Sequence, residues 1–264
     1  MTPILTYINA DNYTQHTLEV PSGREYVNEL INALPDLKKN GTKVNIKRVI
    51  EDGDYVAIHE DLEFFGHKVG FTIFRFENGK IVEHWDNTQQ RPTSTISGRT
   101  MTDGPTEIID LEKTQANKLF VQDFVQDVLI DGKVDRITYY ISTETYHQHN
   151  PGIGDGVIGL NKALESMSKQ GLAMNYQTVH KVIGEGNFVL TLSEGQFADK
   201  HVAFYDLFRV EGEKIVEHWD VIQDIPPKKD WKNQNGKFKN FRILCIGSNI
   251  RESTKIFPSN WRFR

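Results

Sequence analysis

Asp206 is an acid set in a row of apolar side chains. In a strand Val202, Phe204, Asp206, Phe208 and Val210 share one face. A carboxylate held there is desolvated, which raises its pKa towards the range of a useful general acid or base. The bland reading, an acid accepting a structural hydrogen bond, carries equal weight at this point. If the following hairpin takes the register that a two-residue turn implies, Asp206 lies opposite Trp219 and Phe208 opposite Glu217. Phe204, Phe208, Trp219 and Glu217 would then line the surroundings of the acid. Tyr146, His149 and Asn150 fall in a loop after a helical stretch, near the expected cavity mouth. His149 either orients a carbonyl or enolate oxygen or caps a helix. His180 opens a strand and faces either a pocket or solvent. Together these groups suit proton abstraction alpha to a carbonyl, with Asp206 as base and Tyr146, His149 or His180 stabilising the enolate.

The elements that must position them come from a duplication. The heptapeptide KIVEHWD occurs at Lys80–Asp86 and again at Lys214–Asp220, 134 residues on. Tyr13-x-Gln15-His16 matches Tyr146-x-Gln148-His149, and Val49-Ile50-x-x-Gly53 matches Val182-Ile183-x-x-Gly186. A period this long is a domain rather than a solenoid unit. The second copy reads as a helix over Asp110–Asp131 with Ala116, Phe120, Phe124 and Val128 as its stripe. A helical stretch Val134–Ser142 follows, then a short helix with Leu160, Leu164 and Met167 that Gly171 closes. Strands are expected at Asn175–Ile183, Phe188–Glu194, His201–Val210 and Lys214–Gln223, with Gly-containing separators that argue an antiparallel meander. The first copy repeats the strands (Lys43–Ile50, Tyr55–Asp61, His67–Phe76, Lys80–Asn87) and a short helix near Arg24–Leu34. It lacks a counterpart of the long helix, so an apolar flank of its sheet is left to be covered. The layout is α+β. The boundaries are 1–90 for an N-terminally incomplete domain, 91–109 for a linker, 110–227 for a complete domain and 228–264 for a basic tail.

Composition excludes several classes. With 38% hydrophobic and 25% charged residues the 264-residue chain is ordinary and globular. No apolar run approaches a membrane span, and no basic-then-apolar leader opens the chain. The lone Cys245 excludes an intrachain disulfide framework, and a cytoplasmic protein is expected. The net charge of −5 hides an asymmetry, since ten Lys/Arg against Asp230 and Glu252 follow residue 227. These basic residues form no dense run, so nucleic-acid binding is not expected. The dispersed histidines give no metal-ligand spacing, Gly152-x-Gly154-x-Gly156 is no phosphate loop, and no nucleophile motif is present. No cofactor and no metal are expected.

Tyr146–Pro151, Val179–Val189 and Asp206–Glu211 with KIVEHWDVIQ together resemble the SnoaL-like polyketide cyclase family of the nuclear transport factor 2-like superfamily. The match is good over 110 to about 224 and weaker over 7 to about 90. The resemblance implies tandem cone-shaped α+β barrels, helices packed on a curved antiparallel sheet, with a pocket between them. It also implies a third-strand carboxylate, at Asp206, acting as acid/base for an aldol-type closure. A histidine on the preceding strand would assist it, and that position is Leu192. In the first copy His59 holds the histidine position and Thr72 replaces the aspartate, so neither copy carries both partners. The partners implied are an apolar ketone or polyketide-like small molecule and self-association, as a homodimer or a pseudo-dimer within one chain. Non-catalytic binding and an assembly role on the same fold stay open. The KIVEHWD segment itself, with His218 and Asp220 on the strand face opposite Trp219, reads as scaffold.

Overall fold

A computed structural model describes residues 3–33, 43–63, 66–172, 174–239 and 241. Cys245 and most of the basic tail lie outside them. The alternation of the β-runs folds into two five-stranded sheets. The first comprises β1 (Thr14–Gln15), β2 (Lys43–Asp52), β3 (Tyr55–Glu63), β4 (His67–Glu77) and β5 (Lys80–Gln90), in the order β1-β5-β4-β3-β2. The second comprises β6 (His147–Gln148), β7 (Met174–Glu185), β8 (Phe188–Phe197), β9 (Lys200–Glu211) and β10 (Lys214–Asp224), in the order β6-β10-β9-β8-β7. The main strands form antiparallel meanders, and the short β1 and β6 add in parallel to β5 and β10. The segment expected as a plain loop after the helices is therefore partly strand.

Helices follow the expected order with altered detail. Arg24–Ala33 is α1. The helix expected over Asp110–Asp131 is composite: a 3-10 turn, then α2 (Thr114–Phe124), then a π-helical turn (Val125–Ile130). The extra residue per turn in the π segment re-aims its buried face. That face carries Asn117, Val121, Phe124, Val125 and Val128, while Ala116 is exposed and Phe120 is partly buried. Beyond it, Val134–Ser142 contains only a 3-10 turn and α3 (Ile137–Tyr140). α4 (Gly156–Lys169) buries none of its residues fully, and Leu164 is exposed.

One face of each sheet packs against the other. Trp85, Phe71, Ile73 and Ile50 from the first sheet meet Trp219, Tyr205, Leu207 and Leu192 from the second in one core. The seam is reciprocal: the amide of Thr88 donates to Gln223 Oε1 and that of Ile222 to Gln89 Oε1, each at 2.9 Å. The second sheet's other face is covered by α2, the π turn and α3. The first sheet's flank, expected bare, is partly covered. Leu5, Ile8, Tyr13 and Val27 pack on Ile81, Phe74 and Phe76, while Val44, Ile46 and Val49 on β2 remain exposed.

The expected linker and the start of the tail act as straps. His149 Nδ1 donates to Thr100 O at 2.6 Å, and Trp219 Nε1 donates to Asp103 O at 2.9 Å. In the first half, His16 Nδ1 donates to Gly236 O at 2.7 Å, and Asn235 and Asn233 reach back to Gln15, Thr17 and Val20 carbonyls. Close approach explains the glycine at 104: its φ is +90°, and a Cβ there would meet Glu217 Oε1 at 2.5 Å. Among the described residues no helix is long and apolar enough to cross a membrane.

Candidate functional site

Both KIVEHWD hairpins turn on two residues of positive φ, Asn78-Gly79 (50° and 71°) and Gly212-Glu213 (56° and 60°), as the right-handed strand twist favours. Each then carries a bulge at the third residue of the returning strand, at Val82 and Val216. The bulge slips the register by one, and a one-residue slip moves every later side chain to the other face. Asp206 consequently pairs with Asp220 and Phe208 with His218, in place of the expected Trp219 and Glu217.

The site is therefore a buried acid–imidazole–acid cluster. His218 Nε2 lies 3.1 Å from Asp206 Oδ1, and its Nδ1 is 2.9 Å from Gln148 Oε1. Tyr176, on β7, donates its hydroxyl to Asp206 Oδ1 at 3.0 Å and stacks on Phe204 with centroids 4.0 Å apart. Asn150 Nδ2 donates to Asp220 Oδ2 at 2.6 Å. Tyr146 accepts from Gln148 Nε2 at 3.2 Å, which leaves its own hydrogen free to donate. Asp206 is 0% exposed. Burial pushes the Asp220 carboxyl up to about 6, against the pull of His218. Burial alone would lower His218, but its hydrogen bond to Asp206 and the charge of Asp220 outweigh that and raise it. The phenol of Tyr176 is pushed well up, by burial first and by Asp206 second.

Four buried polar atoms on this face have no hydrogen-bond partner within the protein: Asp206 Oδ2, Asp220 Oδ1, Thr191 Oγ1 and Ser193 Oγ. Thr191 sits directly across from Asp206, and Ser193 across from Phe204. Buried polar groups are nearly always paired, so four unpaired atoms on one face set it apart from the rest of the core. Asp206, His218 and Asp220 also bring ligand atoms within 4.8 Å of one another, the one such grouping among the described residues. Sequence spacing could not show it, because the three meet across strands.

Other expected site residues are elsewhere. Leu192 faces the core between the sheets, as do Trp219 and, in the first half, His59. His149 is sealed on that same side, stacked on Trp219 at 4.6 Å with Nε2 2.9 Å from Glu217 Oε1. Glu217 is further held by Arg209 at 2.8 Å. Although burial would raise it, these two hydrogen bonds keep the Glu217 carboxyl below its ordinary range. Arg48 of the first half lies over the Trp219 ring at 4.1 Å and donates to Asp103 O and Pro105 O. His180 is bonded to Glu194 and packs on Phe238, remote from Asp206. Of the residues singled out from sequence, Asp206, Phe204, Phe208, Tyr146 and Asn150 converge. His218, Asp220, Tyr176, Thr191 and Ser193 were missed. Face parity alone put His218 with Asp220, but only the bulge reveals that this pair shares the Asp206 face.

The first half keeps part of the arrangement. His84 Nδ1 is 2.8 Å from Gln15 Oε1, and Thr17 donates to Asp86 Oδ1 at 2.6 Å, as Gln148 and Asn150 serve His218 and Asp220. Thr72 occupies the Asp206 position and donates to Glu60 Oε1 at 2.6 Å.

No protein-family model and no curated protein matches the chain. Solved structures are similar over about one half of it. TsrD from Streptomyces laurentii is 17% identical with a TM-score of 0.33, covering 41% of this chain and 90% of that one. A SnoaL-like polyketide cyclase from Agrobacterium tumefaciens is 11% identical (TM-score 0.32, 40% and 91%). An epoxide hydrolase from M. tuberculosis is 19% identical (TM-score 0.32, 42% and 85%).

Proposed function

We propose that the C-terminal half is a cofactor-independent cyclase- or isomerase-type catalyst, in which Asp206 removes a proton alpha to the carbonyl of an apolar ketone. The observation that carries this reading is the unpaired Asp206 Oδ2, buried among Phe204, Phe208 and Tyr176. Its other oxygen is fixed by Tyr176 and His218, so the free oxygen is aimed without reorganisation. His218 balances the carboxylate charge, and Asp220, with a carboxyl at about 6, can take up a proton from the cluster near neutral pH. Tyr146, Thr191 and Ser193 offer hydroxyls to a developing enolate oxygen. Phe204 and Phe208 supply the apolar wall that suits a ketone body.

The test is exchange of the alpha protons of 1-tetralone in D2O, followed by proton NMR. The full chain should accelerate exchange, and Asp206→Asn should lose it while still binding the neutral ketone. Exchange no faster than in buffer, or equal exchange by Asp206→Asn, would overturn the reading.

One observation favours a second reading, a non-catalytic polar core. Asp206 is sealed, and two clefts of this protein open elsewhere, around His180 and Asp224. On that reading Asp206→Asn changes stability and nothing else.

A further inference from the structure

The two halves diverge at one corner, and the divergence opens a cleft. In the N-terminal half the amide of Arg91 donates to His67 O, and its guanidinium closes onto Asp61 at 2.5 Å. In the C-terminal half the amide of Ile225 donates to His201 O in the same way. Ile225 thus stands where Arg91 stands, and Glu194 stands where Asp61 does. With the guanidinium gone, Glu194 is held by two imidazoles instead: His180 Nε2 at 2.7 Å from one oxygen and His201 Nε2 at 2.6 Å from the other. His180 itself replaces Lys47.

The cleft that results has a volume of about 280 Å³. Its apolar wall is Ile225, the Trp231 ring and Phe238, on which the His180 ring lies flat at 4.2 Å and 7°. Its charges are unequal. Glu194 is the one carboxylate in the lining, and both its oxygens are already accepting. Lys237 and Lys239 complete the lining, and Lys239 is exposed. A second opening of about 700 Å³ shares His201, Ile225 and Trp231 and adds Lys228, Lys200 and two acids, Glu19 and Asp224. There Asp224 is neutralised by Lys200 at 2.7 Å. In the smaller cleft Lys237 is spent on Asp86 O and Gln223 Oε1, which leaves the exposed Lys239 as the uncommitted cation beside a carboxylate that is already engaged, and such an aromatic-walled cleft suits a planar anion.

We propose that this corner is a binding site for a small organic anion with a planar apolar body, such as an aromatic carboxylate, separate from the Asp206 cluster. The carboxylate engages Lys239 and the imidazole edge of His201, while the ring slides between Trp231 and Ile225. In the first half Arg91 occupies the position of Ile225 and closes onto Asp61.

Calorimetric titration of the full chain with 2-naphthoate, against neutral 2-acetylnaphthalene, tests this. Saturable one-to-one binding of the anion is expected, with the neutral analogue at least tenfold weaker. Lys239→Ala combined with His201→Gln should weaken the anion at least tenfold. Ile225→Arg, which restores the residue of the other half, should abolish binding with the thermal transition retained. Asp206→Asn should leave the affinity unchanged, so failure here is separable from failure of the catalytic reading. Equal binding of the neutral analogue, affinity unaltered in the Lys239/His201 variant, or loss on Asp206→Asn would each overturn the proposal.

Discussion

His218 Nε2 lies 3.1 Å from Asp206 Oδ1, across neighbouring strands that face each other only because Val216 bulges out of the ladder. An imidazole and two carboxyls are thereby enclosed together, and the protein's behaviour with pH follows from how they share charge.

Asp220 should weaken the fold as it ionises. Its folded pKa of about 6 lies above the ordinary aspartate value. Its contribution is therefore fully present at low pH and is lost as pH rises towards and through about 6. Asp220→Asn keeps a partner for Asn150 and removes that ionisation. It should stabilise the protein by about 1–2 kcal/mol at pH 8, after allowing for lost attraction to His218, and by much less at pH 4. Urea unfolding at the two pH values measures the difference.

Glu217 should show the opposite sign. Its folded pKa is held low by His149 and Arg209, so its contribution is present above the ordinary glutamate range and fades as pH falls through the lowered value. Glu217→Gln removes the buried charge partner of His149 and Arg209, which then keep only the more exposed Asp103 and Glu211, and should cost about 3 kcal/mol at pH 7. The gap between variant and parent should close on acidification, read from denaturant midpoints.

The reciprocal seam predicts two matched losses. Gln89→Ala strips the acceptor from the Ile222 amide, and Gln223→Ala strips it from Thr88. Each should destabilise by about 1 kcal/mol, the loss of one hydrogen bond to a part-buried donor. Values that differ widely between the two would show that the seam is not balanced.

Adding an acid to the first half should change its histidine. Burial currently lowers His84, with Thr72 where the other half has Asp206. Thr72→Asp, made with Glu60→Gln to remove the competing acid, should raise the His84 pKa. Two-dimensional NMR titration of the imidazole follows it directly. No movement would mean the two positions are not equivalent in space.

The strands, their pairing and the two-fold duplication were legible because a repeated heptapeptide and period-2 alternation report local geometry. The cluster was legible only in part. Asp206 stood out as a polar residue in an apolar row, yet its neighbours depended on a bulge that no turn residue announces, since Ile215-Val216 reads as uninterrupted strand. Tyr176 and Thr191 are joined to Asp206 by sheet pairing across long sequence distances. His149, expected beside the acid, follows β6, whose parallel pairing with β10 carries it to the far side of the sheet. The straps were invisible because Thr, Ser, Gly and Pro composition marks irregular backbone without saying what its carbonyls meet.

Thr100 and Asp103 supply the carbonyls that His149 and Trp219 bind, although both precede the first helix of the rear half. A fragment starting at residue 110 would strip that cover and leave an imidazole and an indole donor facing water. An excised rear half that begins upstream of Thr100 is therefore expected to be more stable than one cut at residue 110, because it keeps the two backbone acceptors.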